Sequence, residues 1–251
     1  MNKFSKKIFL ADPNAIYQSK NCGAFTVENW VRKSNVGIRF ISTGYREIVW
    51  ARNVCSGSIF DNLYPRVNGV GFIGIGDYNS RADGKVTKAY VTWKNMLARC
   101  YCPKIHKKRP TYVGVTVCDE WLDFQKFARW FEKENIEGTD IDKDLLVNGN
   151  KLYSPDTCIF VPPEVNTLLL NNKASRGKYM LGATRSKGSR KFAAKCRGRT
   201  NKSVHIGYFN TELEAHNAYC EYKYTLIKEV ANEQSNLRLK QALLSYTIPK
   251  Y

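Results

Sequence analysis

The sequence predicts an α+β protein in three parts: a small N-terminal β-barrel, a ββα middle region with flanking helices, and a C-terminal three-stranded antiparallel sheet plus helix. Three observations carry this expectation. Apolar and polar residues alternate over short runs in the first and last parts, the period of a half-buried strand. In the middle, large apolar residues recur three and four apart, the period of one helix face. Positive charge is concentrated in the last part, which sets it off from the rest. With 43% hydrophobic and 13% aromatic residues the chain can fill packed cores, which excludes wholesale disorder.

The first part, residues 1–80, reads as strands at 24–27, 36–41 and 48–50, separated by the turn-like Lys33-Ser34-Asn35 and Ser42-Thr43-Gly44. Val36, Ile38 and Phe40 alternate with Gly37, Arg39 and Ile41. A small twisted barrel is the natural assembly of such strands. The run Asn68-Gly69-Val70-Gly71-Phe72-Ile73-Gly74-Ile75-Gly76 is not a dinucleotide fingerprint, because its third-glycine spacing is wrong and no helix follows. It reads as a strand leading into a linker over 77–84.

The second part, residues 81–175, opens with a helix whose apolar face is Tyr90, Trp93, Met96 and Leu97. Cys100-Tyr101-Cys102-Pro103 and a basic loop, Lys104, Lys107, Lys108 and Arg109, follow. A second helix over 121–134 would bury Trp121, Phe124, Phe127, Ala128 and Phe131, aromatics suited to a core rather than to base stacking. A short strand at 141–145, a polar loop over 146–156 and a strand at 158–161 come next. Pro162-Pro163-Glu164-Val165-Asn166 starts a helix, with proline where a first turn tolerates it.

The third part, residues 176–251, reads as strands at 179–184, 191–197 and 203–209. Phe192, Ala194 and Cys196 would face one way, and Lys191, Ala193, Lys195 and Arg197 the other. Val204, Ile206 and Tyr208 would face inward. Thr211-Glu212-Leu213-Glu214 is a capping box that starts a helix running to about residue 231. Its stripe of Leu213, Ala218, Tyr222 and Leu226 would cover one face of the sheet and leave the basic face open.

Charge narrows the function. The 40 Lys and Arg against 22 Asp and Glu give a net charge of +18. Residues 1–80 carry a net +5, 81–175 a net +3 and 176–251 a net +10. Between Arg176 and Lys202 there are ten basic residues and no acidic one. Such a surface repels itself unless a polyanion relieves it, and nucleic acid is the usual polyanion. Double-stranded DNA is the expected partner, with cations on phosphates and Arg reaching base edges. On charge and alternation the candidate contacts are Lys191, Lys195 and Arg197, with Arg199 and Lys202 beside them and Lys104 to Arg109 adding nonspecific grip. RNA is the weaker expectation, since stacking aromatics are scarce on the open face. A role in binding a protein partner is left open by charge alone.

No apolar run approaches the ~18–20 residues of a membrane span, and the start lacks a signal-peptide core, so a cytoplasmic protein without a membrane partner is expected. Eight cysteines are few for a disulfide framework. Cys100, Cys102, Cys118 and Cys158 are the candidates for a structural zinc site, although they offer one C-x-C and no C-x-x-C. Cys22, Cys55, Cys196 and Cys220 read as core thiols.

Two resemblances add to this reading. Leu181-Gly182-Ala183-Thr184, Phe192-Ala193-Ala194, His205-Ile206-Gly207-Tyr208-Phe209 and Thr211-Glu212-Leu213-Glu214-Ala215-His216-Asn217-Ala218-Tyr219 form a series similar to the plant ethylene-response-factor (apetala-two) DNA-binding domain. The resemblance implies a three-stranded sheet laid in the major groove, with Arg185, Lys187, Arg190, Lys191, Lys195, Arg197 and His205 at or beside the DNA. The family's strand tryptophans are replaced here by Phe192 and His205.

The middle part resembles an HNH endonuclease core, two strands and a helix that grip one divalent metal. The residues that carry this are Ile141-Asp142-Lys143-Asp144, Asn150, Cys158-Ile159-Phe160-Val161 and Pro162-Pro163-Glu164-Val165-Asn166. The resemblance implies Asp142, Asp144 and Asn166 as candidate catalytic residues, holding magnesium if the core is active. The general-base position falls in Asp142-Lys143-Asp144, and His106, His205 and His216 all lie outside this stretch. A lysine ammonium cannot take a proton from water at neutral pH without a large shift. The whole resembles phage and mobile-element proteins that join these two parts, which would work in a host cytoplasm. Two readings stand: a DNA-binding protein with a degenerate nuclease core, and a metal-dependent endonuclease of nicking or homing type.

Overall fold

The computed structural model describes residues 12, 14–169, 178–186, 188–199 and 202–248. It is a mixed α+β structure in two compact units, Met1–Lys133 with Lys151–Ser154, and Glu134–Asn150 with Pro155–Tyr251. The ββα segment and the basic sheet therefore belong to the same unit. No helix among the described residues is long and apolar enough to cross a membrane.

The first unit begins with β1 (Ile16–Ser19), β2 (Gly23–Arg32), β3 (Asn35–Phe40) and β4 (Arg46–Trp50), paired antiparallel in that order. This corrects the expected barrel: β1 and β4 are the two edges of an open sheet. Closure needs more strands, tilted and staggered to meet. Here α1 (Ala51–Ser56) and the chain around Ile59 and Tyr64 cover one face instead, burying Phe25, Val27, Val36, Ile38 and Phe40. The alternation in β3 is the one expected. On the uncovered face Glu28 holds both Arg39 and Arg46, each at 3.0 Å. The Arg46 hydrogen bond, with both guanidinium charges behind it, keeps the Glu28 carboxyl below the usual range.

The glycine-rich run is not a strand. Residues 67–72 make only isolated bridges, Val67 to Gly71 and Phe72 to Asp123. Gly71 lies where a Cβ would run into Leu97 and Trp93, so the run is a close-packed crossing of a helix. The end of the expected linker over 77–84 is the first strand and turn of a hairpin of β5 (Arg81–Ala82) and β6 (Lys85–Val86). Next, α2 (Lys88–Tyr101) is capped by Thr87 and buries Trp93, Met96, Leu97 and Cys100. The expected basic loop is instead a short helix, α3 (Pro103–Lys108), started by its proline. β7 (Thr116–Val117) is followed by α4 (Phe124–Glu134), whose Phe124, Phe127, Ala128 and Phe131 are buried as expected.

In the second unit β8 (Asp140–Asp142) precedes a polar loop. Part of the expected loop over 146–156 returns to the first unit as a strand, β9 (Leu152–Tyr153), which pairs parallel with β7 of that same unit. β10 (Ile159–Val161) pairs antiparallel with β8 and leads into α5 (Pro163–Leu169). The last sheet is β11 (Ala183–Arg185), β12 (Phe192–Arg197) and β13 (Ser203–Phe209), antiparallel in chain order, followed by α6 (Glu212–Glu233) and α7 (Leu237–Leu244). Ile159, Val161, Val165 and Leu168 pack with Leu226, Ile227, Val230, Leu239 and Leu243 into one core. The final helices thus clamp the ββα segment.

Candidate nucleic-acid interface

The capping box forms as expected: the Thr211 hydroxyl accepts from the Glu214 N–H, and the Glu214 carboxylate accepts from the Thr211 N–H. It fixes the phase of α6 so that Ala215, Tyr219, Lys223 and Leu226 turn inward. Leu213, expected on that stripe, is 57% exposed. Ala215 meets Ala183 and Ala194 in a layer of small residues that lets helix and sheet approach closely. Gly182 has φ +79°, and a Cβ there would strike the Tyr219 ring. That left-handed turn replaces the first half of the strand expected at 179–184.

The face of β11–β13 turned away from α6 is exposed, and its composition depends on one bulge. Ala193 pairs with Tyr208 and Ala194 with Gly207, but Lys195 pairs with His205, so Ile206 is the extra residue on β13. An extra residue reverses the in–out alternation beyond it. Val204 and Ile206 stay on the helix side as expected, whereas Tyr208 turns outward, 59% exposed, and Phe209 turns inward. His205 and Tyr208 thereby share the open face, with ring centroids 4.6 Å apart. Beside them lie Lys195 and Arg197, both exposed, and Thr184 and Ser203.

The other expected contacts divide. Lys191 is exposed at the start of β12, Arg190 in the turn before it and Lys202 in the turn before β13. Arg185 is in register with Phe192 and lies over its ring at 5.6 Å, at the rim of the covered side. Arg199 forms an ion pair with Glu233 at 2.6 Å, so its charge is already matched. Lys187 lies outside the described residues.

Beneath the sheet, Lys223 is 7% exposed. Burial pushes its ammonium down from the usual lysine value, and the neighbouring Arg197 charge adds to that. Also missed from sequence is a Cys220–His216 contact on α6. His216 Nδ1–H donates to the Leu181 carbonyl at 2.9 Å, which leaves Nε2 as acceptor 3.6 Å from Cys220 Sγ. Its four-residue spacing was the available signal.

Of the candidate catalytic residues, Asp142 and Asp144 share the turn after β8. Asp142 Oδ1 accepts the backbone N–H groups of Asp144 and Leu145, at 2.8 and 2.7 Å, and so organises a turn. Burial raises its carboxyl above the usual range. Asp144 Oδ1 receives the Lys143 ammonium at 2.5 Å, and that buried ammonium also donates to the Asn150 carbonyl at 2.7 Å. Asn166 stands on α5. The turn thus takes Oδ1 of Asp142 and an ammonium takes Oδ1 of Asp144. Among the described residues no three or more His, Cys, Asp or Glu side chains come together to hold a metal. Cys100 and Cys158 are buried and Cys102 and Cys118 half-buried. Cys55, expected in a core, is exposed.

Comparison of the chain with known protein families, curated proteins and solved structures finds no match.

Proposed function

We propose that this protein binds double-stranded DNA through the open face of β11–β13, and that its ββα segment is a nuclease-like scaffold without nuclease chemistry. One observation carries the reading: Lys195, Arg197, His205 and the adjacent Lys191 are exposed on or beside one face, and the ion pairs found among the described residues include none of them. Exposed cations on an open sheet face can neutralise the phosphates of a duplex, whose major groove admits β-strands. The resemblance to apetala-two domains in residue order points the same way, as does the resemblance of the whole to phage and mobile-element proteins. The ammonium of Lys143 at the place of a general base supports the loss of cleavage.

A plasmid gel tests both halves. Supercoiled DNA is incubated with the protein, with and without magnesium or manganese, and half of each sample is deproteinised before running. The expected result is metal-independent retardation that salt reverses, with no nicks after deproteinisation. Open-circle or linear product appearing only with metal would make the ββα segment a working endonuclease. Absence of retardation at moderate salt would sink the binding reading.

A further inference from the structure

The first unit holds a second basic feature, independent of the sheet. Between Asp83 and Asp119 the chain has eight Lys or Arg and no Asp or Glu. Folding gathers part of this run around a cleft of about 330 Å³ lined by Asn95, Arg99, Ile105, Lys108 and Arg109. Three of the five are cations, one is an amide and none is acidic.

The cleft is held in shape rather than left as a fringe of mobile lysines. His106 Nε2–H donates to the Arg99 carbonyl at 2.9 Å, tying α3 to the end of α2. The Arg109 N–H closes the last turn of α3 on the Ile105 carbonyl at 2.8 Å. The Arg99 guanidinium lies over the Tyr112 ring at 5.9 Å and hydrogen-bonds the buried Tyr153 phenol. A positioned guanidinium loses less freedom on binding an anion than an unrestrained one. Lys108 in the last turn of α3 and Arg99 in the last turn of α2 each suit their own helix dipole, but neither dipole accounts for the two meeting at one cleft.

We propose that this cleft is a discrete phosphate-binding site. Arg99 and Arg109 present planar donor forks to phosphate oxygens, Lys108 adds a point charge, and the Asn95 amide supplies a further donor. The phosphate comes either from a nucleic-acid backbone or from a free phosphate or nucleotide, and the chemistry is common to both.

The test uses the full chain and three double variants: Lys108→Ala with Arg109→Ala in the cleft, Lys104→Ala with Lys107→Ala on the same helix outside it, and Lys195→Ala with Arg197→Ala on the sheet. Circular dichroism checks that each is folded. Calorimetric titration with pyrophosphate at low salt should show one site in the wild type. Affinity should fall about tenfold or more in the cleft variant and stay within about twofold in the other two. If the cleft variant also flattens the salt dependence of duplex binding, by about 0.9 in slope per lost contact, the phosphate is that of the backbone. If pyrophosphate affinity falls while the duplex slope is unchanged, the source is a free phosphate or nucleotide. Equal losses in the cleft and Lys104/Lys107 variants would mean diffuse charge and overturn the proposal, as would the absence of pyrophosphate binding. Failure of the sheet reading looks different: the Lys195/Arg197 variant would then keep full duplex affinity.

Discussion

The two antiparallel sheets of this protein are built alike and dressed differently. Each has one face packed on its own core and one face left open. On the N-terminal sheet the open face carries Arg39 and Arg46, and a single glutamate, Glu28, matches both. On the C-terminal sheet the open face carries Lys195, Arg197 and His205 without a carboxylate among them. Buried charge differs in the same sense. Asp61 under the first sheet accepts from Thr43 and from the Leu63 N–H, whereas Lys223 under the second has its charged form disfavoured by burial. What separates the two sheets is charge compensation, since the antiparallel order is shared, and this is the difference on which the proposed DNA-binding role of the second rests.

The largest effect should come from reversing charge on each sheet in turn. Lys195→Glu with Arg197→Glu is expected to cut duplex affinity about 100-fold at low salt, by losing phosphate contacts and adding repulsion. Arg39→Glu with Arg46→Glu should cost less than about threefold. Anisotropy with a short labelled duplex measures both, and equal losses would break the comparison.

Next in size is Lys223→Met, expected to stabilise the protein by about 1–2 kcal/mol near neutral pH, because an apolar chain needs no desolvation of charge. The folded ammonium has the lower pKa, so the unfolded chain binds more protons between the two values and wild-type stability rises with pH there. The gain from Met should therefore shrink as pH climbs toward the ordinary lysine value of about 10.4. Thermal melts across that range check it, and a gap that widens with pH would contradict the sign.

Smaller still, Tyr208→Ala should leave duplex affinity within about threefold, since stacking serves unpaired bases. A drop of about tenfold on single strands with none on duplex would move the sheet's ligand from duplex to single strand. The smallest change is Glu28→Gln, which frees Arg39 and Arg46 and should raise nonspecific duplex affinity about twofold.

The sequence disclosed those parts of the fold that short-range periodicity and local chemistry determine. The alternation of Val36, Ile38 and Phe40, the stripe of α4 and the Thr211–Glu214 capping box were all readable in this way. What it hid depends on distant partners. β7 and β9 are two residues each and make sense only as a pair. The open edges of the first sheet depend on which strands fail to meet. Arg199 looked like one more cation in a basic run, because Glu233 is far along the chain. The turn role of Asp142 was hidden for the opposite reason: acidic residues near a hydrophobic strand look the same whether they cap a turn or hold a metal.

The bulge at Ile206 reaches beyond the placement of one tyrosine. In a regular strand outward residues keep the same parity, but β13 sends out 203, 205 and 208. Deleting Ile206 would make the ladder regular and leave Tyr208 outward and Phe209 inward, whereas flattening the bulge with every residue kept would exchange the two, turning an aromatic from surface to core without any substitution. Loss or gain of the residue at the bulge therefore leaves the surface unchanged, and related sequences can be aligned across it only if the extra residue is given its own column.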